Sequence, residues 1–165
     1  MTRVAALDLK LRRVEQTASF TLQAPVEVAF PLFGPMKEKL WAPGWDPEIV
    51  YSTTHEVEEQ MIFRTPAMFG ESELYTWVIT QYRPDDYFVV YTVFTTQRIW
   101  FISVRCVPKG METNVSITYS YTGLTPNGNE LNEIALQKMF EHNLTDWQEA
   151  IHYYLNTGKT ITHIT

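Results

Sequence analysis

What most constrains this chain is the order of its secondary-structure signals: many short β-type segments, then one amphipathic helical stretch. The β signals end at Tyr119-Ser120-Tyr121-Thr122-Gly123-Leu124-Thr125-Pro126. Beyond them Leu131, Ala135, Phe140, Leu144, Trp147, Ile151, Tyr154 and Leu155 recur at helical spacing as an apolar stripe. Gln137, Lys138, Glu141, Gln148 and Glu149 lie mostly off it. This predicts one long helix from Asn127 to Asn129, where Asn is a good N-cap, to about Asn156, with Gly158 as its stop. Such a helix must lie across a curved sheet. It cannot fill the concavity of a sheet several strands wide, so an internal pocket is expected.

The strands are read from alternation and turn chemistry. Leu11 to Gln23 makes a first strand, with Val14, Ala18, Phe20 and Leu22 on one side. Pro25 opens a short helix, which Pro31, Gly34 and Pro35 break, and Met36 to Trp41 makes a second. Trp41-Ala42-Pro43-Gly44-Trp45-Asp46-Pro47 is a tight loop carrying two tryptophans. Strands are then predicted at Ile49 to Thr54, Gln60 to Thr65, Glu73 to Tyr82, Tyr87 to Thr96, Ile99 to Val107 and Thr113 to Thr122. Pro84-Asp85-Asp86, Thr96-Gln97-Arg98 and Pro108-Lys109-Gly110 supply turns between them. Val115, Ile117, Tyr119 and Tyr121 should face inward, as should Trp100, Ile102, Val104 and Cys106. The strands from Glu73 and Tyr87 are apolar on both sides, and alternation does not assign their faces.

The 165 residues, read as a single domain spanning 1–165, are enough to bury a core without metals or disulfides. An aromatic share of 14% suits a cavity protein, because large flat side chains line pockets as well as fill cores. A net charge of −6 with scattered basic residues argues against nucleic acid, the only local cluster being Lys10, Arg12 and Arg13. Cys106 is the one cysteine, which excludes an internal disulfide and makes a reducing, cytoplasmic setting the default. The charge-interrupted stretch from Val4 to Val14 is not read as a signal peptide, and no segment approaches the roughly 18 apolar residues of a membrane span. His55, His142, His152 and His163 have no metal-ligand spacing, so no metal site is expected. With no phosphate loop or dinucleotide fingerprint, no cofactor is expected either.

One strand, two short helices, an antiparallel meander and a long helix form the helix-grip order. The sequence resembles the START-like (SRPBCC) superfamily, which includes polyketide cyclase/dehydrase-like proteins and pollen-allergen-like ligand carriers. Phe20-Thr21-Leu22-Gln23-Ala24-Pro25-Val26-Glu27-Val28-Ala29-Phe30 carries the resemblance at the first strand and helix. The tryptophan loop, Trp77-Val78-Ile79-Thr80-Gln81-Tyr82-Arg83-Pro84 and the helix ending Tyr154-Leu155 complete it. The resemblance implies an α+β fold: a curved antiparallel sheet of about seven strands with the C-terminal helix over its concave face. It does not fix an activity.

The ionisable groups that could face such a pocket are His55, Arg64, Glu73, Arg105 and His142. Glu73 is the leading acid/base candidate, since a carboxylate in an apolar cavity has its pKa raised; the alternative is a solvated strand start. His142 beside the helix stripe and His55 in the acidic Glu56, Glu58, Glu59 hairpin read as exposed groups, and Arg105 as outward. Cys106 reads as a small inward hydrophobe and a poor nucleophile. Trp41 and Trp45 either wall a ligand or cap the core.

Three readings follow. The first is a carrier of a small hydrophobic or aromatic ligand, held by Trp41, Trp45, Tyr75, Trp77, Tyr119, Tyr121, Phe140, Leu144 and Trp147. The second is a cyclase/aromatase-type enzyme acting on a polyketide-like or other multi-ring substrate, with Glu73 as base and Tyr75 or Tyr119 as hydrogen-bond donor. In the third, aromatic side chains fill the cavity and the domain acts through a surface, most simply a homodimer through the strands Tyr87 to Thr96 and Ile99 to Val107.

Overall fold

The structure is a computed structural model and describes residues 12–162; Leu11, Lys10 and His163 lie outside them. Seven strands form one antiparallel sheet in the order β1-β7-β6-β5-β4-β3-β2. They are β1 (Arg13–Leu22), β2 (Glu48–Tyr51), β3 (Ile62–Thr65), β4 (Tyr75–Arg83), β5 (Phe88–Phe94), β6 (Arg98–Lys109) and β7 (Glu112–Gly123). Each strand from β2 onward pairs with the next, and β1 pairs with β7, so only one connection, from β1 to β2, crosses the sheet. That crossover holds the short helices α1 (Val26–Ala29) and α2 (Pro35–Glu38), with a 3₁₀ turn, Phe30–Phe33, between them.

Alternation assigned the inner faces of β6 and β7 correctly. Val115, Ile117, Tyr119 and Tyr121 are buried, as are Trp100, Ile102, Val104 and Cys106. Packing assigns the two strands that alternation left open: Tyr75 and Ile79 of β4, and Val89, Tyr91 and Val93 of β5, are the inward residues. A register shift between Ile79 and Gln81 marks a bulge in β4. The outer face is lined by hydroxyl pairs, Thr17 with Thr118, Ser19 with Ser116 and Thr80 with Thr92. Arg105 is outward as expected, its guanidinium 4.3 Å from the Phe88 ring.

The C-terminal helix is interrupted. Helix α3 (Pro126–Met139) and helix α4 (Thr145–Thr157) are separated by a turn in which Asn143 and Leu144 adopt φ of 54° and 60°. Asn tolerates this left-handed region; Leu144 is held there because its side chain is wholly buried. No glycine or proline marks the break, and the apolar stripe runs straight through it. The N-cap also differs from the predicted one. Thr125 caps α3, its Oγ1 accepting from the Gly128 N–H at 3.0 Å, and Pro126 takes the first helical position. Gly158 ends α4 at φ 71°, as its position implied.

Candidate functional site

Between the concave face and the helices lies a cavity of about 550 Å³. Its floor is the inner face of β4 to β7, through Tyr75, Trp77, Tyr91, Trp100, Ile102, Val104, Tyr119 and Tyr121. Trp41 and Trp45 enter from the loop after α2, Met139 from the end of α3, and Asp146 and Trp147 from the first turn of α4. Exposed Pro43, Gly44 and Asp46, with Met68 and Lys138, form its rim.

Several aromatic side chains have their polar tips tied to the protein. The Trp41 Nε1–H donates to the Leu32 carbonyl at 2.7 Å, and that of Trp45 to the Pro35 carbonyl at 2.8 Å. The Trp77 Nε1–H donates to Thr65 Oγ1 at 2.9 Å, and the Tyr91 hydroxyl to the Phe33 carbonyl at 2.6 Å. Ring contacts then lock their orientations. Trp77 stacks on Phe63 at 5.2 Å and meets Trp45 edge-on at 5.3 Å, while Trp41 lies 5.8 Å from Trp147. What these residues leave for a ligand is chiefly apolar surface and ring faces.

One end of the cavity is closed by Arg98, whose side chain is almost wholly shielded from water. It forms a two-pronged pair with Glu71, donates from Nη2 to the Tyr75 hydroxyl at 2.9 Å and from Nη1 to Asn132 Oδ1 at 3.3 Å. Its guanidinium lies 4.1 Å from the Trp100 ring. The Tyr75 hydroxyl also bonds Glu71; burial first, then this bond, push its pKa up to about 12. Tyr75 is therefore a poor proton source near neutrality.

The other end is acidic. Glu38, the last residue of α2, turns its carboxyl into the cavity, and burial raises its pKa well above the ordinary value. The residue as a whole is half-buried. No side-chain hydrogen bond or ion pair satisfies it among the described residues. Asp146 Oδ1 is likewise buried with no partner. The Tyr119 hydroxyl is held far up its scale by burial, then by Tyr121, Glu38 and Asp146.

Of the residues singled out in the sequence, Trp41, Trp45, Tyr75, Trp77, Tyr119, Tyr121 and Trp147 come together on this cavity. Phe140 and Leu144 do not reach it. They are buried behind the wall, Phe140 against Tyr119 at 5.8 Å, because the helix break carries them into the core. Glu73 is also elsewhere. It is exposed and accepts from the Thr96 N–H at 2.8 Å and the Thr96 hydroxyl at 2.7 Å, staying in water at the β5–β6 turn. His55 and His142 are exposed, and burial pushes the Cys106 thiol up to about 12. Sequence reasoning missed Glu38, Glu71, Arg98 and Asp146. Arg98 read as a turn residue; its place at the start of a strand beside Trp100 was the available signal. Among the described residues no group of three or more His, Cys, Asp or Glu side chains could hold a metal, and no helix is long and apolar enough to cross a membrane.

No protein-family model and no curated protein sequence matches the chain. Solved structures do. Norcoclaurine synthase from Thalictrum flavum, in complex with dopamine and hydroxybenzaldehyde, is similar over 91% of this chain and 91% of its own, at 10% identity and a TM-score of 0.64. The Zhui aromatase/cyclase of a Streptomyces species is similar over 92% of this chain and 99% of its own, at 16% identity and a TM-score of 0.57. A major latex-like protein from Panax ginseng covers 80% of this chain and 98% of its own, at 13% identity and a TM-score of 0.55. The chain therefore has the helix-grip fold of START-like, SRPBCC-type proteins that its sequence resembles.

Proposed function

We propose that this protein binds a small hydrophobic, aromatic ligand in the cavity between sheet and helices. One observation carries the reading. The aromatic side chains leave about 550 Å³ unfilled, with mostly apolar walls and several polar tips already satisfied. Ligand pockets typically span roughly 300–1,000 Å³ with mostly apolar walls. A neighbour in fold that holds dopamine and hydroxybenzaldehyde adds support for a ligand of this size. Native mass spectrometry of protein purified gently from its own host, compared with the denatured mass, tests it. A discrete extra mass of a small aromatic compound is the expected result. No bound mass, together with no binding from a panel of aromatic probes, would move the weight to a surface role. Light scattering would then be used to look for a homodimer.

A second reading is favoured by Glu38: an acid/base enzyme of cyclase/aromatase type on a multi-ring substrate. A carboxyl whose pKa burial raises well above the ordinary value is a candidate proton donor, and the Tyr119 hydroxyl lies within its electrostatic reach. Here Glu38 takes the role that the sequence offered to Glu73. On this reading Glu38→Gln abolishes turnover of the bound compound. On the carrier reading the compound is recovered unchanged from both proteins.

A further inference from the structure

We infer that the Glu38–Asp146 end of the cavity receives a protonated amine carried on an aromatic-sized apolar ligand, which rests on the ligand-binding reading above. Two carboxyl groups enter this end from different elements, Glu38 from α2 and Asp146 from the first turn of α4. Each arrives with an indole. Trp41 follows Glu38 by one turn, Trp147 adjoins Asp146, and their ring centroids are 5.8 Å apart. The Tyr119 hydroxyl is within electrostatic reach of both carboxyls. Asp146 Oδ1 is fully shielded and unpaired, and the enclosed Glu38 carboxyl has no hydrogen-bond or ion-pair partner among the described residues. Leaving such acceptors unsatisfied is costly, so the site is built for a donor that the fold does not itself contain.

The cations of the chain near the cavity do not supply that donor. Arg98 is committed to Glu71, Tyr75 and Asn132 at the far end. Lys39 pairs outside with Asp46 at 3.8 Å, and Lys138 is an exposed rim residue with no ion pair among the described residues. A neutral hydroxyl has one proton to give. An ammonium has three, carries the charge that a carboxyl pairs with and gains further from the indole faces. A ligand anion would be repelled at this end.

The groups within electrostatic reach of Glu38 are Tyr91 on β5 and Tyr119 on β7, while Asp146 of α4, Lys138 of α3 and Arg98 of β6 are the other charged groups of the cavity lining. None of them offsets the burial that favours the protonated Glu38 carboxyl. When an ammonium enters, the carboxyl releases its proton to solvent and the two charges pair, so amine binding is coupled to proton release.

Titration calorimetry of the full chain with phenylbutylamine and phenylbutanol, in two buffers of different ionisation enthalpy, tests this. The amine should bind at least about tenfold more tightly near pH ~7 and release a fraction of a proton, while the alcohol exchanges none. Glu38→Gln should abolish the release and bring the two probes within about twofold, with alcohol binding retained as the check that the variant folds. Asp146→Asn should weaken the amine alone and serves as the second, independent variant. An amine no tighter than the alcohol, or a preference that survives both substitutions, overturns the inference and leaves the cavity reading standing. Failure of both probes to bind overturns both.

Discussion

Arg98 and Glu71 are joined by two hydrogen bonds, Nε to Oε2 at 3.2 Å and Nη2 to Oε1 at 2.5 Å, with side chains only 1% and 7% exposed. The pair ties the first residue of β6 to the loop before β4 and closes one end of the cavity. Its two partners are not independent. Glu71→Gln leaves the Arg98 guanidinium buried without a counter-charge and should cost about 3–5 kcal/mol in urea denaturation. Replacing both residues with Met should recover most of that loss. A Glu71→Gln protein within about 1 kcal/mol of wild type would show that water compensates the guanidinium.

Glu38 makes stability depend on pH. Its folded-state pKa lies above the ordinary 4.5, so the folded chain holds this proton more tightly than the unfolded chain. The stabilisation is fully present below 4.5 and is lost as pH rises through the raised value. Wild type should therefore lose stability relative to Glu38→Gln as pH rises above 4.5, read as a shift in denaturation midpoint. Parallel curves for the two proteins would contradict an enclosed carboxyl.

The Tyr91 hydroxyl spans from β5 to the Phe33 carbonyl at 2.6 Å and fixes the 3₁₀ turn against the sheet. Tyr91→Phe keeps the ring but leaves that carbonyl unsatisfied. A loss of about 1–2 kcal/mol is expected in denaturant melts.

Gly128 sits in the first turn of α3, where alanine ordinarily gains about 1 kcal/mol over glycine. Here an added Cβ would lie 1.9 Å from the Gln97 carbonyl oxygen, a backbone atom that cannot rotate away. Gly128→Ala should instead destabilise by about 1–3 kcal/mol or more, as helix and β5–β6 turn are pushed apart. A rise in Tm would show that α3 is free to shift.

The sheet was legible because its signals are local. The alternation of Val115, Ile117, Tyr119 and Tyr121, and the turn residues between strands, state which side is buried without reference to partners. Seven strands at nearly the expected bounds followed, and so did the aromatic wall, since residues on one inner face must share whatever lies above it. The helix break was not legible. Asn143 and Leu144 adopt left-handed conformations that tertiary packing of Leu144 holds in place, and nothing local demands them.

By itself, then, the sequence determined the helix-grip order of elements and the aromatic lining of the cavity, both properties of nearest-neighbour pattern. Tertiary structure alone decided the polar groups that meet there. Glu38 and Asp146 are 108 residues apart in the chain, and Glu71 and Arg98 are 27. Each pair is assembled by the crossover, a loop or the helix break. Glu73 was kept in water by a turn that bonds it to Thr96. The physical reason is one of range. Hydrophobic periodicity is written within a few residues, whereas the burial that leaves a carboxyl unpaired depends on every element that surrounds it.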